Sequence, residues 1–221
     1  MKNNYNKYFK LFLNSNKSFY ETRERPNRTL VLSVTNDLIF NTILLKFAKA
    51  ISEIEDSNIL YVPFLKYNIF IKKLANSFKI VPLINIILIF SWSFIKHFFT
   101  ILSHFIKIYD GNTLEAYSIS NIQIGKHIYD FVLRKYRIPT LNNLKIKHRI
   151  LILVGLCYYF FLRDLIIKKK IKTVITLDNV YIEGILFELA KFFNLKMYTG
   201  FDINLLTLHV FENDFDYGKH C

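Results

Sequence analysis

The chain has 221 residues, 52% of them hydrophobic and 21% charged, which excludes a solvated disordered tail and suffices to bury one sizeable core. Lys and Arg number 30 against 17 Asp and Glu, a formal net charge of +13 that draws the chain toward nucleic acid, acidic lipid headgroups or phosphorylated groups. Lys, Asn, Ile, Phe and Tyr share AT-rich codons, however, so base composition alone enriches them together. The Lys residues are scattered rather than gathered into the patch of a nucleic-acid binder, and no nucleic-acid partner is expected.

Residues 1–28 form a basic arm without the continuous apolar run of a signal peptide. Residues 29 to 35, "TLVLSVT", read as a strand that ends at Asn36-Asp37, a helix-capping pair. "LIFNTILLKFAKAISEIE" follows, with Ile39, Ile43, Phe47, Ile51 and Ile54 at helical spacing, and "NILYVPF" reads as a second strand stopped near Pro63. Strand, helix and strand of this length predict a βαβ unit with parallel strands and a right-handed crossover.

The segment from 78 to 110 is the most hydrophobic, and from Ile80 to Ile95 only Pro82, Asn85, Ser91 and Ser93 interrupt the apolar run. Beyond it Lys96, Thr100, Ser103 and Lys107 share one helical face, and Phe98, Leu102, Phe105 and Tyr109 another. Three readings stay open for this insertion at about 80–108: a buried or groove-lining helix, a helix lying in a membrane interface with Lys and Trp92 at headgroup level, or a span.

Near the end the βα order repeats. Residues 145 to 170 predict a long helix, 170 to 178 ("KIKTVITLD") a strand, 179 to 194 a helix with Ile182, Leu186, Leu189 and Phe193 on one face, and 195 to 201 a strand. The fold class expected is α/β: a Rossmann-like parallel sheet with flanking helices spanning 29–210, followed by a short acidic tail at 211–221. Cys157 sits in the apolar run "LVGLCYYFFL" and reads as a small buried hydrophobe. With only Cys221 besides, there is no disulfide framework, and a reducing, cytoplasmic location is expected.

None of the six histidines stands at zinc-site spacing from a Cys or carboxylate, and neither G-x-G-x-x-G nor a P-loop occurs, so no metal and no cofactor are expected. Asp37 and Asp178 each follow a predicted strand, where ligands of open α/β sheets sit and where helix caps also sit. "NIQIGKHIYDFVLRKYRIPTL", residues 121 to 141, is the densest polar stretch. On a helix, Asp130 and Arg134 face the same way and can pair with each other or offer an acceptor and a planar donor fork to a sugar or phosphate. Gly125 allows a φ > 0 turn or a close backbone approach where that helix begins.

Ile122, Ile124, Gly125, Ile128, Tyr129, Asp130, Leu133, Arg134 and Pro139-Thr140 resemble a motif of bacterial surface- or capsule-polysaccharide biosynthesis proteins of the GT-B glycosyltransferase type. Lys126, His127 and Val132 depart from the motif, where the family carries an acid, an aliphatic and a Tyr. "VITLDNVYIEGILFELAKFFNLKMYTG" resembles the same proteins more weakly, so that the likeness covers roughly residues 30 to 210. The resemblance implies the N-terminal, acceptor-side domain, with Gly125, Asp130, Arg134, Asp37 and Asp178 as candidate substrate-binding residues. It implies a half-enzyme whose donor-binding half is missing or is a separate polypeptide, an oligosaccharide or lipid-linked acceptor, and a peripheral place at the inner face of the cell membrane. The reaction of a complete site is displacement of a diphosphate at a sugar carbon, aided by a general base. Asp37, Asp130 and Asp178 are the candidates for that base, and the sequence does not choose among them. The alternative is a non-catalytic, membrane-associated or scaffolding remnant in which the ion pair is structural.

Overall fold

Five of the seven residues of the first strand are buried, ending in a run of Leu, Val, Leu and Ser, and a strand buried on both faces belongs at the centre of a parallel sheet. The computed structural model describes residues 2–19, 25, 27–33, 38–63, 69–82, 86–176, 181–199 and 209–211. In chain order its elements begin with α1 (Lys2–Phe19), β1 (Asn27–Ser33), α2 (Leu38–Ile54), β2 (Ser57–Pro63), α3 (Ile69–Ser77) and β3 (Val81–Pro82). Then come α4 (Ile86–Ile106), α5 (Gly111–Glu115), the short strands β4 (Ser118–Ile119) and β5 (Ile122–Gln123), α6 (Gly125–Tyr136) and α7 (Ile146–Lys169). The chain continues with β6 (Thr173–Thr176), α8 (Tyr181–Phe192), β7 (Lys196–Thr199) and β8 (His209–Phe211). These elements fall into two units, Met1–Ile84 with Ile171–Leu177, and Asn85–Lys170 with Asp178–Cys221.

The first unit holds a four-stranded parallel sheet in the order β3-β2-β1-β6. Val31 stands opposite Tyr61 on one side and Ile175 on the other, all three buried. Helices α2 and α3 connect the consecutive strands, so the expected α/β arrangement of parallel strands with flanking helices is present and is compatible with a Rossmann-like fold. The apolar run from Ile80 begins not as helix but as the edge strand β3, which pairs Val81 with Leu60.

Helix α2 buries Asn41, Leu44, Leu45, Ala48 and Ser52, whereas Ile39 and Ile54 of the regular apolar row are exposed. Small side chains allow the closer approach of a helix to its neighbours, and the buried Asn41 is satisfied by the Tyr61 hydroxyl of β2. The basic arm contains α1, which packs on α3 through the ring pairs Phe9–Phe70 and Phe12–Phe78 and a hydrogen bond from Asn16 to Ser77. Arg25 then holds the start of β1 to the end of α2 by bonds to Glu53 and the Ser52 carbonyl.

The second unit is built around α7, buried from Ile152 along most of its length. Helices α4, α6 and α8 pack on it. Helix α4 runs antiparallel to it: His97 stacks on Phe160 and bonds Asp164, while Phe105 and the Ile108 carbonyl receive Arg149 at the other end. At Gly155 the helix α6 comes so close that an added Cβ would stand 2.7 Å from Ile128 Cγ1. Strands β4 and β5 form a hairpin whose turn residues Ser120 and Asn121 both have positive φ, as a two-residue type I′ connection requires. Strands β7 and β8 pair antiparallel.

Replacing Gly155 by Ala is expected to lower stability by about 1–3 kcal/mol through overpacking, despite alanine's better helix propensity. In a double-mutant cycle measured by urea unfolding, Ile128→Ala should cost less in the Gly155→Ala background than alone.

Candidate functional site

Helix α6 carries the polar motif, and its position is set from its first residue. The Gly125 amide donates to the Tyr117 carbonyl at 2.9 Å. A Cβ there would lie 1.9 Å from the Leu114 carbonyl oxygen and 2.7 Å from the Tyr117 nitrogen. Of the two roles open to Gly125, the structure therefore displays the close approach, and the approaching group is the protein's own backbone. Ile128 packs on Gly155, and the Tyr129 hydroxyl accepts the amide of Leu141 at 3.3 Å, tying the segment after Pro139 to the helix. The helix closes with Arg137 in the left-handed region at φ 52°.

Asp130 and Arg134 do lie one turn apart on α6, yet they form no ion pair among the described residues. The Arg134 guanidinium instead sits over the ring of Tyr181, 4.4 Å from its centroid, at the first residue of α8. Tyr181 has a positive φ of 54°, unusual for a bulky side chain. Asp130 is half-buried and Arg134 exposed. Asp37 and Asp178 lie outside the described residues.

Comparison of the chain with protein-family models, with curated proteins and with solved structures found no match. The functional reading of this site therefore stands on its residues and their geometry.

Two neighbours of the site escaped the sequence reading. His127, which departs from the motif, faces Glu188 of α8 with its Nε2 at 3.8 Å from Oε1, so a polar contact between α6 and α8 occupies a position where an aliphatic was expected. Glu183 is buried at 1% exposure in the first turn of α8, where the helix dipole favours a carboxylate. Burial, and then the charge of Glu183, push the Tyr158 phenol well above its ordinary value. The signal for Glu183 was an acid between Ile182 and Gly184-Ile185-Leu186, on the apolar side of the helix.

A second group of titratable side chains joins α4 to its neighbours. Asp164 receives Lys96 at 2.8 Å and His97 at 3.2 Å. Burial alone would raise the Asp164 carboxyl, but these two bonds hold it below its ordinary value. His104 Nδ1 lies 2.7 Å from the Tyr117 hydroxyl. Burial, and then Lys107, lower the imidazole below its usual 6.5, which favours the neutral ring in its hydrogen bond with the phenol. Among the described residues no group of three or more His, Cys, Asp or Glu could hold a metal ion.

Two outcomes follow. Gly125→Ala places a methyl against backbone that cannot move aside, and urea unfolding should show a loss of about 3 kcal/mol or more. An unfolded chain takes up a proton near pH 6.5 that the folded His104 still refuses. Its stabilising effect is therefore complete above that pH and declines as the pH falls through the folded value. The fall in melting temperature between neutral and acidic pH should be shallower in His104→Gln than in the parent.

Proposed function

We propose that the chain is the acceptor-side domain of a glycosyltransferase-like protein of surface-polysaccharide synthesis, in which Arg134, Tyr181 and Asp130 bind a sugar or phosphate group of an oligosaccharide or lipid-linked acceptor. One observation carries this reading: Arg134 stacks on Tyr181 instead of pairing with Asp130. The ring holds the guanidinium in place while, among the described residues, no carboxylate engages its N–H groups, a state in which arginine can grip phosphate or a sugar's oxygens in bidentate fashion. Asp130, one turn earlier, supplies an acceptor for hydroxyl groups.

The remaining motif positions support the assignment by subtraction. Gly125 and Ile128 set the packing of α6, and Tyr129 holds a backbone amide. Packing gives no reason for the identity of Asp130, and neither Asp130 nor Arg134 meets an opposite charge among the described residues, Arg134 meeting the Tyr181 ring instead. A donor-binding polypeptide would complete the reaction.

Binding of a polyprenyl-diphosphate-linked oligosaccharide in detergent micelles, followed by isothermal calorimetry, tests the proposal. Arg134→Ala should weaken binding roughly 10- to 100-fold, the worth of a charge-assisted hydrogen bond, with the melting temperature lowered by no more than about 2–4 °C for the lost contact with Tyr181. Tyr181→Phe, which retains the ring, should bind like the parent, and Arg134→Lys should not restore the loss. Equal affinity of the Arg134→Ala and parent proteins would leave the pair structural and favour a non-catalytic scaffold.

A further inference from the structure

Helix α4 is turned opposite to the usual arrangement. It packs on α7 through His97 and His104, and Ser93 and Ile101 are buried on that same face, which is rich in polar groups. Its larger apolar side chains point away: Trp92 is 62% exposed, Phe99 82% and Ile106 68%, with Ile95 and Leu102 between them on the same stripe. Steps of three and four residues keep this stripe on one side of the helix for nearly four turns. Ile146 and Ile150, at the end of α7 that Arg149 ties to Ile108, add exposed apolar surface, flanked by the exposed Lys145 and Lys147. An exposed apolar stripe of this extent marks an interaction surface.

We propose that this face of α4 docks on an anionic phospholipid bilayer, the helix lying in the plane of the surface with the stripe inserted at the headgroup–acyl boundary. The charge pattern selects this occupant. The exposed Lys107, one residue past α4, lies on the sector beside the stripe; Lys96 on that sector is paired with Asp164 of α7; and α4 itself contains no Asp or Glu. The chain as a whole carries a formal charge of +13. A second copy packed along the same seam would find no Asp or Glu on α4 to meet Lys107, and the stripe covers under the roughly three heptads that a stable coiled coil needs. A bilayer surface of acidic headgroups meets both the apolar and the basic sectors, and Trp is suited to the boundary layer. The docking surface is separate from the Arg134 site, and neither proposal depends on the other.

Trp92 is the only tryptophan in the chain, so its fluorescence reports on this face alone. Full-length protein is mixed with vesicles of phosphatidylcholine, with or without phosphatidylglycerol, and with vesicles whose acyl chains carry bromine. The expected result is a blue shift of Trp92 and quenching by brominated lipid on the acidic vesicles, weakened by raised salt. Phe99→Ser with Ile106→Ser should reduce vesicle partitioning at least about 10-fold while the circular-dichroism melt is unchanged. Arg134→Ala should partition like the parent, which separates failure of this proposal from failure of the acceptor-binding one. An unchanged Trp92 spectrum overturns the proposal, whether or not the protein sediments with vesicles. So does a dimer by light scattering in which Trp92 is already shielded without lipid, which would assign the face to a second copy.

Discussion

The burial of α7 is the constraint on which the second unit depends. The helix is apolar almost all round, with Leu156, Tyr158, Tyr159, Phe160, Phe161 and Leu162 buried in nearly unbroken succession. No single neighbour can cover such a surface, and α4, α6 and α8 pack on it together. By length and composition alone α7 could cross a membrane, but 61% of its apolar window is enclosed by protein, which gives it the character of a core helix. Each surrounding helix then contributes one face to α7. For α6 and α8 that requirement exhausts most of the apolar surface. For α4 it does not, and a stripe of aromatic and branched side chains is left outside.

Close approach makes this packing possible. Gly155 admits Ile128, and Gly125 admits the backbone at Leu114 and Tyr117. Tyr117 in turn reaches His104 of α4. The start of α6 is thus coupled to α4 through one tyrosine, by a contact to its backbone and a hydrogen bond shared by its hydroxyl. A methyl group at Gly125 would strike the end of that chain where the opposing atoms are peptide oxygen and nitrogen.

The elements of the parallel sheet were legible because their signals are local. β-Branched runs mark β1 and β6, and apolar periodicity marks α2, α7 and α8. The faces were not legible in the same way. Helix α2 is apolar on several sides, so its regular row of Ile39, Ile43, Phe47, Ile51 and Ile54 competes with a row containing Ala48 and Ser52, and the choice is made by neighbours distant in sequence. Helix α4 shows this most sharply: its composition left a buried, an interfacial and a spanning helix open, and hydrogen bonds from His97 to Asp164 and between His104 and Tyr117 hold its polar residues inward. The spacing of Asp130 and Arg134 was readable, but their partner choice was not, because Tyr181 is 47 residues beyond Arg134 in the chain.

That partner choice can be argued from magnitudes. An exposed i, i+4 ion pair on a helix contributes only about 0.3–0.5 kcal/mol, and a cation over an aromatic face about 0.5–1 kcal/mol at an exposed site. The two are close enough that geometry decides, and the start of α8 brings the Tyr181 ring to 4.4 Å from the guanidinium. The consequence for function exceeds the difference in energy. An ion pair would occupy the N–H donors of Arg134 and neutralise Asp130, leaving the surface with little to offer an incoming group. The contact with the ring engages the face of the guanidinium and, among the described residues, leaves neither Arg134 nor Asp130 with a charged partner, which is the condition that the proposed ligand binding requires.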